Sequence, residues 1–334
     1  MQDTRPLIDG FNRQITYLRL SVTDRCDLRC SYCMPEKMQF LPRAEVLSLD
    51  ELHKLALGFV ERGIRTIRIT GGEPLVRRDV IELIQALGRR IGDGLDELTL
   101  TTNGTQLARY ADDLAAAGVR RVNVSLDTLD PALYRQITRT GRLDDVMAGI
   151  VAAQSAGLQV KLNVVALKGL NEAELSDIIC WAHGAGHDVT LIEVMPLGDV
   201  DGDRIDHYLP LTQVRAALEE RWTLLGSDYR TGGPSRYVTV AETGGRLGFI
   251  TPLTNNFCDG CNRVRVTATG QLYACLGGAE RVDLRAPLRS AEVERELADA
   301  LDLAMRIKPE RHHFRIDRRG AEPAQPRHMS LTGG

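Results

Sequence analysis

The sequence predicts an α/β fold: an incomplete (β/α)6 TIM-like barrel over residues 10–233, with a smaller C-terminal unit over residues 234–334. Three observations carry this. Six strand-like runs alternate with amphipathic, helix-like stretches, the pattern of a parallel sheet that is either doubly wound or curled into a barrel. Several of the runs have one polar face, which a filled barrel would not tolerate. The alternation stops after Pro196.

The strand-like runs are residues 17–22, 66–70, 97–102, 121–126, 159–166 and 189–195. Between them the 3.6-residue apolar period marks helices over 48–62, 77–90, 106–117, 143–156 and 171–184. Ser48 with Glu51 reads as a capping box, and Asn171 with Glu174 offers a similar start. Side chains alternate faces along a strand. Arg19 and Ser21 therefore share a face, as do Arg68 and Thr70, Asn123 and Ser125, and Lys161 and Asn163. The opposite faces are apolar, as in Leu18, Leu20 and Val22. Filled barrels pack branched apolar residues inside, and parallel strands normally have both faces covered. A polar inner face thus points to an open or incomplete barrel around a wet ligand cavity. Beyond Pro196, residues 198–210 read as a Gly- and Asp-rich loop and 212–221 as a helix. Short strands follow at 236–241, 246–250 and 263–266, and a final helix at 291–307.

Composition sets limits on function. A chain of 334 residues with 43% hydrophobic and 26% charged residues is expected to fold. Its formal net charge of −3 argues against a general nucleic-acid binder. No run approaches the roughly 20 apolar residues of a membrane span. The segment after Met1 leads into no apolar signal region, so a cytoplasmic location is expected. The basic stretch 306–328 reads as a solvated surface tail.

Of seven cysteines, six form two groups of three, and Cys180 stands alone as a small hydrophobe in a helical pattern. In a reducing compartment disulfides are not expected. Cys26, Cys30 and Cys33 form C-x-x-x-C-x-x-C directly after the first strand. Three thiolates from one loop suit a small inorganic centre. Structural zinc usually takes four protein ligands, whereas a 4Fe–4S cluster held by three cysteines leaves one iron open. On spacing alone both metals stay possible. Thr70-Gly71-Gly72-Glu73-Pro74 ends the second strand, and its glycines permit close backbone approach to a ligand.

Together, the C-x-x-x-C-x-x-C loop and the G-G-E-P segment resemble the radical S-adenosylmethionine superfamily. The resemblance implies that the open iron chelates S-adenosylmethionine. One electron then breaks its sulfonium C–S bond, releasing a 5′-deoxyadenosyl radical that abstracts a substrate hydrogen. It also implies S-adenosylmethionine contacts at Tyr32, Gly72, Ser125 and Met195.

The second group, Cys258, Cys261 and Cys275, lies in Phe257-Cys258-Asp259-Gly260-Cys261-Asn262-Arg263-Val264-Arg265. Arg263 and Arg265 share a strand face and offer fork-shaped donors suited to phosphate. The chain contains no G-x-x-x-x-G-K-S/T phosphate loop. With the first group and T-G-G-E-P, this segment is similar to the GTP 3′,8-cyclase family of molybdenum cofactor biosynthesis. That resemblance implies a second 4Fe–4S cluster whose open iron anchors guanine. It implies GTP contacts at Arg19, Arg68, Thr101, Lys161, Arg263, Val264 and Arg265. It further implies a catalytic role for the terminal Gly333 and Gly334, which composition alone would leave as a frayed end. The implied partners are a flavodoxin-type or other electron donor, a second copy of the chain in a homodimer, and a downstream cyclic pyranopterin monophosphate synthase. No membrane or nucleic acid is implied. Two other readings share the cysteine pattern: a peptide-modifying radical enzyme with auxiliary clusters, which would usually carry more cysteines, and a zinc-stabilised binding protein with a fourth ligand such as Cys180 or His312.

Overall fold

The computed structural model describes residues 5–333. Six parallel strands pair in sequence order: β1 (Tyr17–Ser21), β2 (Thr66–Thr70), β3 (Glu97–Thr102), β4 (Arg121–Ser125), β5 (Gln159–Ala166) and β6 (Asp188–Glu193). Helices α1 (Leu49–Glu61), α2 (Val80–Gly88), α3 (Leu107–Ala116), α4 (Pro131–Thr138), α5 (Leu143–Ser155) and α6 (Leu175–Gly184) connect them. The apolar strand faces, among them Leu18, Leu20 and Val22, form one core with helix residues such as Leu52, Leu55 and Phe59. Two further helices, α7 (Arg204–His207) and α8 (Leu211–Glu219), precede six short strands. These are β7 (Leu224–Gly226), β8 (Arg236–Val240), β9 (Arg246–Ile250), β10 (Arg263–Val266), β11 (Gln271–Tyr273) and β12 (Arg281–Asp283). The chain ends through α9 (Arg285–Leu288), α10 (Val293–Ile307) and α11 (Met329–Thr332).

All twelve strands form one sheet in the order β12-β11-β10-β1-β2-β3-β4-β5-β6-β9-β8-β7. β1 and β6 do not close on each other. Instead β10 pairs parallel with β1, and β9 pairs parallel with β6. The chain between β9 and β10 must therefore cross from one edge of the open barrel to the other, and it carries Cys258 and Cys261. No helix among the described residues is long and apolar enough to cross a membrane.

The six expected barrel strands and five expected helices are present, most with ends shifted by one to three residues. Ser48 caps α1 in the expected reciprocal manner: its hydroxyl accepts from Glu51 N at 3.0 Å and its own N–H donates to Glu51 at 2.8 Å. Asn171 does not cap α6, which starts at Leu175 after a tight turn at Glu172–Glu174. Its buried amide instead accepts from Leu167 N and donates to the carbonyls of Asp127 and Val165, tying the exits of β4 and β5 together. Within the loop 198–210, α7 forms behind the Asp203 cap. The basic stretch 306–328 is solvated over much of its length, with 317–322 exposed, but it is anchored at both ends. Lys308 is buried, Arg13 holds the carbonyls of Pro309 and Glu310, and Gln325 bridges to Leu197. Within it, Lys308 and Arg327 reach main-chain carbonyls, the latter those of Cys275 and Leu276.

Candidate active site

Cys26, Cys30 and Cys33 lie in the irregular loop after β1, in a turn closed by Cys33 N to Cys30 O at 2.9 Å. Their thiols line one lobe of the barrel cavity together with Gly71 and Gly72. The loop rests on the end of β2 through Gly72 N to Thr23 O and Glu73 N to Arg25 O, both 2.8 Å. A Cβ on Gly72 would lie 2.3 Å from Arg25 O, and one on Gly71 2.3 Å from Thr23 O, so only glycine allows this approach. Buried Glu73 accepts from Leu75 N, Asn103 N and the Thr102 hydroxyl, and burial pushes its carboxyl up to about 7. Tyr32 donates to Asp127 at 2.7 Å, which fixes its ring at the cavity wall. Burial pushes the Cys30 thiol up and the Cys33 thiol to about 11, and raises Cys26 as well.

Cys258 and Cys261 come from the crossing segment, where Cys261 N donates to Cys258 O at 3.0 Å, and Cys275 follows β11 by two residues. All three line the second lobe. Burial pushes the Cys258 thiol up. At Cys261 burial acts the same way, but the charges of Arg263 and Lys308 outweigh it and bring the thiol down to about 7. Among the described residues no three His, Cys, Asp or Glu side chains gather as a single ion requires. Each triplet instead presents its thiols to a wider space, and Cys180 sits on α6 against the core, away from both lobes. Three soft ligands around an open space fit an iron–sulfur cluster better than tetrahedral zinc.

The two lobes share Asn163, Ile192, Met195 and Met329, so they form one continuous cavity. The sheet register explains the lining. Arg265 on β10, Arg19 on β1 and Arg68 on β2 are direct neighbours in consecutive strands. Strands lie about 4.8 Å apart, so three guanidiniums stand side by side. Thr101, Asn123 and Lys161 form a second such row across β3, β4 and β5. Arg19 Nε and Nη2, Arg68 Nε and Thr101 Oγ1 are buried without hydrogen-bond partners. Burial and the charges of Arg265 and Arg68 push Arg19 well below the usual arginine range. Burial and Arg263 bring Arg265 to about 9, and burial brings Lys161 to about 8. Buried cations crowded on cations are costly without a counter-charge. This wall is built for a polyanion.

Most expected site residues meet here. Tyr32, Gly72, Thr101 and Ser125 line the first lobe, Met195 both, and Arg19, Arg68, Lys161, Arg263 and Arg265 the second. Val264 points the other way, its side chain in the hydrophobic core. Gly333 enters the barrel: its carbonyl accepts from Arg265 at 3.1 Å, and its Cα packs on Thr70. Gly334 lies outside the described residues. Sequence reasoning assigned no role to Arg13, Lys308, Asp127 or Met329. Arg13 lies beside no recognisable motif, and Lys308 sits in the segment that reads as a surface tail.

Residues 20–182 match the Radical SAM superfamily model, and residues 187–314 match Molybdenum Cofactor Synthesis C. The chain is 70% identical over 328 residues to a GTP 3′,8-cyclase of Erythrobacter litoralis (strain HTCC2594), covering 98% of each. It is 59% identical to a GTP 3′,8-cyclase of Rhizobium etli (strain CIAT 652), covering 99% of this chain and 95% of that one. Among solved structures it resembles Streptococcus suis SuiB bound to S-adenosylmethionine (TM-score 0.62, 16% identity, 89% of this chain and 69% of that one). It also resembles native anSMEcpe with bound AdoMet (TM-score 0.59, 15% identity, 86% and 82%). At that identity these two establish the shared partial-barrel fold.

Proposed function

The chain belongs to the GTP 3′,8-cyclase family of radical S-adenosylmethionine enzymes, and we propose that its cysteine triplets hold two 4Fe–4S clusters with GTP between them. The enzyme converts GTP to (8S)-3′,8-cyclo-7,8-dihydroguanosine 5′-triphosphate, the first step of molybdenum cofactor biosynthesis. When bound, a cluster at Cys26, Cys30 and Cys33 would supply the electron for reductive cleavage of S-adenosylmethionine, the source of the 5′-deoxyadenosyl radical that takes the ribose 3′ hydrogen; closure of C3′ on guanine C8 then needs one further electron and a proton to give the dihydro product.

The protein's own part is binding, orientation and exclusion of water. Tyr32, held by Asp127, faces the adenine, and Gly72 allows the backbone beside S-adenosylmethionine. Ser125 at the end of β4 and Met195 just after β6 complete that contact. Arg19, Arg68 and Arg265 neutralise the triphosphate, flanked by Arg263 and Lys161. The unpartnered hydroxyl of Thr101 meets a substrate oxygen. Val264 can contribute only through its main chain. Cys258, Cys261 and Cys275 would hold the second cluster, which would supply an anchor for the base. Gly333 closes the cavity from the tail, and the proposed catalytic role extends to Gly334. The radical barrel spans 10–233 and the C-terminal domain 234–334. The protein acts in the cytoplasm as a homodimer, takes electrons from a flavodoxin-type or other reductant, and passes its product to a cyclic pyranopterin monophosphate synthase.

The observation that carries this reading is the row of three adjacent arginines in the same cavity as both triplets. Its test is anaerobic incubation of reconstituted protein with GTP, S-adenosylmethionine and a reductant, followed by product identification. The expected products are the cyclised triphosphate and 5′-deoxyadenosine. Cleavage of S-adenosylmethionine with GTP returned unchanged would overturn it, as would a colourless, zinc-loaded, folded preparation.

A further inference from the structure

Lys308 caps the end of α10 and is 3% exposed. Its ammonium donates to Ala274 O at 2.6 Å, to Arg263 O at 3.0 Å and to Cys261 Sγ at 3.6 Å. An ammonium has three N–H donors, so each is used. None of the acceptors is a carboxylate. A buried cation without a nearby anion is costly, and the anion on offer is the thiolate set. Each acceptor also has a place in the site: Cys261 is a ligand, Ala274 precedes the ligand Cys275, and Arg263 flanks the phosphate wall. The first triplet has no such donor. There, Cys26 Sγ accepts from Leu28 N at 3.4 Å and from the neutral amide of Asn103 at 3.8 Å. Among the described residues, Lys308 is the one charged donor on a cysteine sulfur.

We propose that Lys308 is a positioning residue for the second cluster, fastening the Cys261 thiolate and raising that cluster's reduction potential above what its thiolates alone would set. This rests on the reading that Cys258, Cys261 and Cys275 hold a cluster. A hydrogen bond and a positive charge at a ligand sulfur favour the more negative, reduced state of a cluster. The first cluster sits in a mixed field, with Glu73 and Asp27 acting on Cys26, Asp127 on Cys30, and Arg204 on Cys33 without a hydrogen bond to its sulfur. Lys308 thus sets the substrate-anchoring centre apart from the one that must reduce a sulfonium.

The test uses the full chain with Cys26, Cys30 and Cys33 all replaced by alanine, so that only the second cluster contributes signal. Iron and sulfide are counted, and a redox titration is followed by electron paramagnetic resonance, in this parent and with Lys308→Met or Lys308→Arg added. A parent without iron overturns the two-cluster reading itself. With a loaded parent, Lys308→Met is expected to shift the potential downward or to lose the cluster, and Lys308→Arg to stay near the parent. Full iron and the parent's potential in Lys308→Met would overturn the proposal, as would an equal shift in Lys308→Arg. Should Lys308→Met fail to fold, Lys308→Gln removes the charge but keeps N–H donors, and is read in the same way.

Discussion

Arg19, Arg68 and Arg265 crowd together in one wall because the register of their strands places them side by side, and a triphosphate relieves the cost. Losing one charge-assisted contact costs about 1.5–3 kcal/mol, roughly ten- to a hundredfold in affinity. Arg265→Ala should therefore weaken GTP binding by that range, toward the lower end, because it also relieves repulsion on Arg19. Equilibrium binding to the anaerobic protein checks this, and an unchanged Kd rules the clamp out. Lys161 adds a pH signature. Its pKa is lowered to about 8 by burial, so its charge is present below that pH and lost as pH rises through it. GTP affinity should begin to fall from about pH 7, and in Lys161→Met the fall should start later, with only the loss of Arg265 charge near 9 remaining; an ordinary lysine, near 10.5, would add no fall there. These residues were legible in the sequence because period-two alternation assigns faces without any knowledge of pairing. Arg13 and Lys308 were not, since each works through carbonyls brought from elsewhere by the fold.

The elements that carry the cysteines and the tail are short and irregular, and their geometry makes separate demands. Removing the Cys258 thiol leaves the first triplet intact. Cys258→Ala should thus abolish cyclised product while S-adenosylmethionine cleavage persists, uncoupled; normal product formation would remove the substrate-anchor role. At Gly333, φ is +76° and an added Cβ would lie 2.2 Å from Thr70. Both features exclude a side chain, so Gly333→Ala should push the tail out of the barrel. Turnover should be lost with both clusters bound and the melting temperature close to wild type. A fully active variant would return the tail to a frayed end. Long amphipathic helices and the barrel strands were readable from periodicity. α4 carried an Asp130-Pro131 start signal that went unread, and its Asp130 cap accepts from Leu133 N at 2.7 Å. β7, β11 and β12, three residues each, are too short to display a period.

Across the whole molecule, the notable joint is between the barrel's open edges and the C-terminal strands. β1 bonds to β10 and β6 to β9, although more than fifty residues separate β6 from β9 and more than two hundred separate β1 from β10. Such pairing leaves no local trace in a sequence, which is why the partial barrel could be expected but its repair by the second half could not. The pairing has a consequence for the division at residue 233. A chain ending there would expose the hydrogen-bonding edges of both β1 and β6, each flanked by apolar side chains such as Leu18 and Leu20 or Val189 and Leu191. Unpaired edges of that kind template aggregation. Residues 1–233 alone should accordingly be insoluble or aggregated, and co-expression with residues 234–334 should restore a soluble complex. Light scattering and S-adenosylmethionine cleavage measure the two outcomes. A soluble, monomeric 1–233 fragment that cleaves S-adenosylmethionine would show that the barrel does not depend on the C-terminal strands to cover its edges, and that the two halves meet only to share the substrate.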